Sequence, residues 1–519
     1  MGVRSLVAAA AVLLVLVPSA HAAADTGWTK EAQRARAALA RSLAAGYLQQ
    51  SDVTSYRGII SFARGVHDRV PPARARLLES VLGQVAAASS PTAPRALELY
   101  STLQENASYF AAHGEPPNGT DVTASDGIVY RYFSGEGLEF HPLAEAGTLN
   151  ALIASGNTEG AQALVTALAA RAVPKAGGAL VWEYWFPFGG LGAPWTSGMA
   201  QAVLAQAFAR AGDLDLARSA YAAIPGKLDL TLTAGTWIRL YSGSSLVVLN
   251  AQLQSVISIG DYAQLAADEE AAAYADGLLA AAKTMLPRFD TGYWSRYSLG
   301  AQSDLNHQDY VISLLKLLGT RTEDPIWTDM ADRISEYETQ PPALTGAQVT
   351  RVVYPRPLDG VRDNLTVRFW LSKPSRVLLV VDGNAVDGFK WYGGWHTFTW
   401  TPRRLGFGEH EVRLSAQSVD GNTASADLGS FTVARDTTPP TLSAAAAHGR
   451  VYWRAKDPFS ACCSVRLVLR HGAGSLVLAS ARARGAAAIP AGTWNATLVA
   501  KDAAGNAATR ELGLVAGHG

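Results

Sequence analysis

Pro194-Trp195-Thr196-Ser197-Gly198-Met199-Ala200-Gln201 opens an apolar-periodic helix that ends in Ala211-Gly212-Asp213. The ending recurs. Gly156-Asn157, Gly260-Asp261 and Gly319-Thr320 also close apolar-periodic segments, as glycine does just past the last turn of a helix. Their spacing of about 50 residues suits two helices and their loops per unit. Repeated helix pairs predict a mainly α architecture, a curved α/α toroid (an incomplete α/α barrel), with a cleft at the end where the long loops gather.

Upstream, helices are expected over Lys30–Leu48, Ser51–Val66, Ala73–Ala88 and Pro94–Ala112, separated by Pro, Ser and Gly breakers. A polar, Gly-rich stretch, Glu115–Gly137, precedes the resumption of helices. From Val349 short alternating runs take over: Leu365–Leu371, Val377–Val381, His396–Trp400 and Glu411–Gln417. Asp436-Thr437-Thr438-Pro439-Pro440 reads as a stiff linker before a second set of strands. Asp420-Gly421-Asn422 and Asp502-Ala503-Ala504-Gly505-Asn506 rhyme near the ends of the two blocks. Two all-β sandwich modules of immunoglobulin or fibronectin type are expected. The boundaries are a leader at 1–22, an N-terminal helical segment at 28–125, a second helical domain at 126–342, and β modules at 346–435 and 438–517.

The 519 residues carry 44 Lys+Arg against 44 Asp+Glu and 48% hydrophobic residues, which describes a folded, neutral chain with no overall field to draw nucleic acid or an anionic membrane. Met1–Ala22 has a basic start at Arg4, an apolar run from Leu6 to Val17 and Ser19-Ala20-His21-Ala22, the pattern of a secretory signal, so an exported protein (secreted, periplasmic or cell-surface) is expected. No later stretch reads as a membrane helix. The two cysteines, Cys462 and Cys463, are adjacent; that excludes a disulfide scaffold and a four-cysteine zinc site, and a structural role in the last β module is expected. No metal-binding, phosphate-loop, nucleophile-elbow or dinucleotide motif is evident, so no cofactor and no metal are expected.

Chemistry concentrates in Trp182-Glu183-Tyr184-Trp185-Phe186-Pro187-Phe188, followed at once by Trp195. Four aromatics in five positions fit neither helix nor strand period, so they read as a loop-borne surface whose ring faces suit the C–H faces of sugars.

At these residues the sequence resembles a family. Pro194 to Gln201, Phe140-His141-Pro142-Leu143, Tyr241 before Leu249-Asn250, Leu286-Pro287-Arg288-Phe289-Asp290-Thr291-Gly292, Tyr297-Ser298-Leu299, and Asp309-Tyr310 with Pro325 and Trp327 to Tyr337 are similar, in order, to elements of the D-glucuronyl C5-epimerase C-terminal domain. The resemblance runs from about Val129 to Tyr337. It implies conversion of D-glucuronate to L-iduronate in a heparosan- or heparan-sulfate-like glycosaminoglycan, and it maps catalytic tyrosines onto Tyr241, Tyr297 and Tyr310. Leu240 stands where the family usually carries an acidic residue, and Val311-Ile312-Ser313-Leu314 replaces histidines after the last tyrosine.

Epimerisation at C5 removes a proton α to a carboxylate and returns it on the other face, which needs an acid/base group on each side and donors for the enolate. The expectation is Tyr241 and Tyr297 on opposite faces, with Tyr310 assisting. Arg239 and Arg296 are candidates for a carboxylate clamp. His141, Glu183, Trp185, Trp195, Gln201 and Asn250 are candidate substrate-binding residues, and His141, Glu183 and His307 candidate replacement acid/base groups. A uronate-containing polysaccharide is the expected partner, with docking to glycan or cell surface through the β modules. Two alternatives stay open: a toroid polysaccharide lyase or glycoside hydrolase, for which Glu139, Glu183 and Asp290 are the carboxylates, and a non-catalytic glycan-binding surface protein.

Overall fold

The computed structural model describes residues 27–518; the expected leader, 1–22, lies outside them. The described chain divides at Tyr337/Glu338 into a helical unit and a β unit.

The helical unit holds α1 (Trp28–Ala44), α2 (Gln50–His67), α3 (Pro72–Ala87), α4 (Ala93–Ala112), α5 (Pro142–Ala154), α6 (Thr158–Arg171), α7 (Gly198–Arg210), α8 (Leu214–Tyr221), α9 (Leu249–Ala266), α10 (Glu269–Met285), α11 (Leu305–Thr322) and α12 (Pro325–Tyr337). Helix α5 packs on α7, α7 on α9 and α9 on α11, and each of these carries the next helix in the chain on its outside. Burial follows that layering. Every residue of α7 from Gly198 to Ala209 is buried, whereas the outer α8 buries only Ala217, Ala220 and Tyr221. Small residues at Ala200, Ala202, Ala205 and Ala207 let the inner helices approach closely while Leu204 and Phe208 fill the layer between them. One continuous apolar core runs from Trp28 to Tyr337, so the segments expected at 28–125 and 126–342 share it. This is an α/α toroid.

Polar residues set where the helices start. Asn157, Ser197, Asp213, Asp268 and Asp304 each accept a backbone N–H three residues on, answering donors that the first turn leaves free. Gly156 and Gly212 follow α5 and α7 with φ of +75° and +85°, as expected of helix-ending glycines. Gly260 and Gly319 differ from expectation because both are inside helices. Helix α9 runs on to Ala266 and α11 to Thr322. A Cβ on Gly319 would lie 2.5 Å from Thr328 Cγ2, so this glycine serves the close approach of α12. The Gly-rich stretch is no mere linker: Asp121–Thr123, Val129–Phe133 and Gly137–Phe140 form an antiparallel sheet that feeds directly into α5.

The β unit contains two sandwiches, each with its own core. In the first, a three-stranded sheet built on Leu365–Leu371 faces a five-stranded sheet built on Ser375–Val381, Gly408–Ser418 and Thr423–Val433. In the second, three strands around Arg450–Lys456 face four around Ser464–His471 and Gly492–Lys501. Leu365–Leu371 alternates inward apolar residues with outward ones, as a half-buried strand must. The rhyming turns do the same work in both modules: Asn422 Nδ2 donates to the Glu338 carbonyl at 2.7 Å, and Asn506 Nδ2 to the Asp436 carbonyl at 3.2 Å, tying each turn to the incoming chain. In the second module Asp436, Asp457 and Asp502 bring carboxylate oxygens within 4.8 Å of one another. Cys462 and Cys463 are bonded to each other, with Cys463 in the second core. No described helix is long and apolar enough to cross a membrane.

Behind the first sheet, Glu139 is buried with Gln84 Nε2 donating to it at 2.7 Å. Burial holds its carboxyl well above the usual range. The folded state therefore keeps a proton that the unfolded chain releases above about pH 4.3, and stability falls as pH rises through that window. Glu139→Gln, which keeps a neutral side chain, is expected to match the wild-type Tm at pH 4 and exceed it by a few degrees at pH 8 in scanning calorimetry.

Candidate active site

A pocket with about 520 Å³ of empty space opens among the loops that precede the inner helices. Its aromatic wall comes from three places: Phe133 from the small sheet, Tyr184, Phe186 and Phe188 from one extended segment, and Trp195 from the turn before α7. The segment 182–188 sorts its side chains by alternation. Tyr184, Phe186 and Phe188 face the pocket, while Glu183 and Trp185 point back towards α4. Tyr184 and Trp195 exchange backbone hydrogen bonds at 2.8 and 3.0 Å, and their rings stack at 3.9 Å within 1° of parallel. The aromatic run is thus a strand-like wall, not an irregular surface as its composition suggests.

The polar groups arrive from the loops opposite. Tyr241 follows the hairpin Asp229–Leu232/Gly235–Ile238, and Tyr297 sits on the short strand Arg296–Ser298. The loop carrying Tyr241 is pinned to the start of α7: Gly198 N donates to the Arg239 carbonyl at 3.0 Å and Ser242 N to the Thr196 carbonyl at 2.8 Å. Tyr241 stands edge-on to Trp195, ring centroids 5.3 Å apart. Tyr241 and Tyr297 pack on the same apolar cluster and line the same pocket. Burial pushes the Tyr241 hydroxyl well above its ordinary value and raises that of Tyr297 as well.

Two buried histidines line the same pocket. His141 caps α5, its Nδ1 accepting from Ala144 N at 3.1 Å, so its proton sits on Nε2. Burial, then the charge of Arg131, holds it well below the usual histidine range, which keeps it neutral. His307 lies in the first turn of α11 with Nδ1 2.9 Å from Asp304 Oδ1, its ring edge-to-face with Tyr297 at 4.7 Å. Asn250 Oδ1 is buried without a partner, an acceptor left for a ligand hydroxyl. Ser197, Met199, Leu143 and Leu240 complete the lining.

Of the residues singled out from the sequence, the pocket gathers Tyr241, Tyr297, His141, His307, Trp195 and Asn250. Tyr310 packs on the apolar cluster shared with Tyr241 and Tyr297, but its hydroxyl donates to Gln254 Oε1 at 2.5 Å and it does not line the pocket. Arg239 is not at the pocket; it donates to the Ser244 and Asp229 carbonyls at 2.9 and 3.3 Å and locks its own hairpin. Arg296 precedes Tyr297 on a strand, so its side chain leaves from the other face, and it too is outside the lining. Gln201 is buried and staples backbone, donating to Leu180 and Ala220 carbonyls and accepting from Trp182 N. Glu183 accepts from Arg95 at 2.8 and 2.9 Å and from Lys175 at 2.8 Å. Burial opposes its charge, and those cations outweigh it, holding the carboxyl below its ordinary value. Trp185 lies beneath Arg95, 5.9 Å from its guanidinium carbon. Asp290 is engaged by Arg333 at 2.9 Å and the Tyr337 hydroxyl at 2.9 Å, and Glu139 by Gln84, so Glu139, Glu183 and Asp290 give no carboxylate pair across the pocket. Sequence reasoning missed Phe133, Ser197 and Asp304. The Asp304-x-x-His307 spacing, a cap followed by its third residue, was the available signal for the last.

Neutral polar groups thus converge on an aromatic pocket at the loop end of the α/α toroid. Residues 177–336 match the family model described as D-glucuronyl C5-epimerase C-terminus. That segment, which begins after Phe140–Leu143, carries the family resemblance read from the sequence. The chain is also similar to a sugar epimerase from a ruminal bacterium (13% identity, 52% of this chain and 75% of that one, TM-score 0.34) and to cellobiose 2-epimerase from Bacillus thermoamylovorans B4167 (12%, 51% and 75%, 0.33). The chain is similar as well to the fibronectin(III)-like modules of Clostridium thermocellum CbhA (11%, 33% and 90%, 0.16). No curated protein matches the chain.

Two substitutions test the construction of the site. A Cβ at position 198 would lie 2.6 Å from the Arg239 carbonyl oxygen and 2.8 Å from that of Leu228. Gly198→Ala is therefore expected to cost about 1–3 kcal/mol in urea unfolding and to weaken ligand binding, because the backbone it pushes carries Tyr241. Glu183→Gln removes the charge between Arg95 and Lys175 and is expected to cost about 3 kcal/mol, read in the same experiment.

Proposed function

We propose that the helical unit epimerises C5 of D-glucuronate residues in an exported-environment polysaccharide, moving the C5 proton through tyrosine. The observation that carries this reading is the convergence of Tyr241 and Tyr297, delivered by two separate loops, on one aromatic pocket. Phe188 offers apolar ring surface for a sugar, Asn250 Oδ1 an acceptor for a hydroxyl, and His141 Nε2–H a neutral donor for the oxygen on which enolate charge develops. A neutral imidazole suits that task, since it strengthens its hydrogen bond as the oxygen gains charge without giving up its proton beforehand. Tyr310 supports the pair from behind through its packing and its bond to Gln254. Export is the reading of Met1–Ala22 alone.

The described lining supplies hydroxyls, an amide and imidazoles but no guanidinium or ammonium. That favours a second reading of the substrate: a uronyl group presented as a neutral ester, whose α proton is also more acidic than that of a carboxylate.

The test is incubation of the full protein in D₂O with heparosan, with other glucuronate polymers and with their methyl esters, following C5 deuterium by NMR. Deuterium at C5 with the chain intact supports epimerisation; a new unsaturated uronate marks a lyase; exchange confined to the esters selects the second reading. Tyr297→Phe is expected to lower exchange by about 10²–10⁴. Tyr310→Phe is expected to stay within tenfold of wild type. Equal rates for Tyr297→Phe and wild type defeat the tyrosine proposal.

A further inference from the structure

The balance of 44 cations against 44 acids conceals an uneven distribution along the chain. Residues 438–517, the second sandwich, carry nine Lys and Arg against three Asp and Glu. All nine cations are exposed, and none has an ion-pair partner among the described residues. The acids do not offset them at the surface. Asp502 is buried and accepts from Asn506 N at 2.8 Å, and Asp457 accepts from Phe459 N and Ser460 N at 2.8 and 2.9 Å. Glu511 lies on Ala507–Gly517, in the four-stranded sheet.

The three-stranded sheet of this sandwich, Thr441–Ala447, Arg450–Lys456 and Arg484–Ala488, contains no acidic residue. Its central strand alternates strictly: Val451, Trp453 and Ala455 enter the core, while Arg450, Tyr452, Arg454 and Lys456 stand on the outer face. Those four positions span about 20 Å of strand. On the edge strand Arg484 is directly opposite Arg454 and so joins the same face. Tyr452 is 43% exposed, and its opposed neighbours are Ala445 on one side and Ala486 on the other, which stop at a methyl group and leave the ring accessible. Like charges directly opposite on adjacent strands destabilise a sheet. The Arg454–Arg484 pair works against the fold unless an anion lies between the two guanidiniums, each of which matches a carboxylate through two parallel N–H bonds.

We infer that this sheet face is a docking surface for an anionic polysaccharide, with Arg450, Arg454, Lys456 and Arg484 holding its carboxylates and Tyr452 lying against a sugar ring. That the polymer bears uronates rests on the epimerase reading above; the face and its charge do not. Such a polymer repeats its carboxylates along its length, and the face repeats its cations along the strand. The rest of the outer face is Thr441, Ser443 and alanines, with no long aliphatic side chain to enter a lipid layer.

The test measures binding, not turnover. Labelled heparosan and labelled hyaluronan are titrated with the full protein by fluorescence anisotropy at several salt concentrations, with dextran as the uncharged polymer. A glucuronate polymer is expected to bind and dextran not to, and Kd is expected to rise steeply with salt because exposed charges are screened. Arg454→Thr/Arg484→Thr is expected to weaken binding about tenfold and to flatten the salt dependence. It replaces two opposed like charges with a favourable cross-strand pair, so its Tm is expected to equal or exceed that of wild type. Tyr452→Ala is expected to weaken binding about fivefold with the salt dependence kept. Arg466→Thr/Arg470→Thr removes the same charge from the outer face of the four-stranded sheet and is expected to stay within about twofold of wild type.

The inference fails if neither glucuronate polymer binds, or if Arg454→Thr/Arg484→Thr binds as wild type does. It fails equally if the two double variants weaken alike, which marks net charge and not this face, or if phosphatidylglycerol vesicles or a single-stranded oligonucleotide bind more tightly than the polymers. C5 exchange, read by NMR on the same preparation, separates this inference from the epimerase reading. Exchange with no binding at this face keeps the epimerase and removes the docking surface. Binding that Arg454→Thr/Arg484→Thr abolishes, with no exchange in the wild type, does the reverse.

Discussion

The contact on which the site depends is the one without a side chain. Helix α7 begins at Gly198 with its first N–H bonded to the Arg239 carbonyl and with no room for a Cβ against two carbonyl oxygens. On one side of that junction the chain runs back through Ser197 and Trp195 into the aromatic wall; on the other, the hairpin runs forward to Leu240 and Tyr241. Wall and hydroxyl are thereby referenced to the same few ångströms of backbone. Loops normally carry function at the expense of precision. Here precision is recovered by backbone-to-backbone hydrogen bonds, which no rotamer change relaxes.

Burial then determines the state of each group. The same exclusion of water that raises both tyrosine hydroxyls keeps His141 uncharged. Charges near the site are kept one layer out, where they are paired: Arg131 with Asp121, Glu183 with Arg95 and Lys175. Donors of this kind are already oriented before charge develops, and little reorganisation is needed when it does.

Much of this was legible from the residues. Helical period, terminal Gly-Asn and Gly-Asp pairs and the alternation after Val349 point to a toroid with trailing sandwiches, because each records a local rule of the backbone. What failed were arguments from residue type without direction. Arg239 and Arg296 have the right chemistry for a carboxylate, yet one is consumed by carbonyls of its own hairpin and the other leaves its strand on the far face. Gly260 and Gly319 looked like helix ends because a glycine in a helix and a glycine after one read alike in sequence; the distinction lies in what packs against them. Glu183 sits in the aromatic run that walls the pocket and still faces away from it, since alternation was hidden by the bulk of Trp185 beside it.

That alternation ties together parts of the chain that sequence families treat separately. The face of residues 182–188 turned away from the pocket is held by Arg95, from a helix that lies well before the family-matched residues 177–336. The pocket wall therefore has its foundation in the N-terminal helices, and a core running from Trp28 to Tyr337 has no seam at the family boundary. The matched segment is therefore not a self-sufficient piece of the fold: by itself it would leave Glu183 buried without Arg95 or Lys175, both of which precede it.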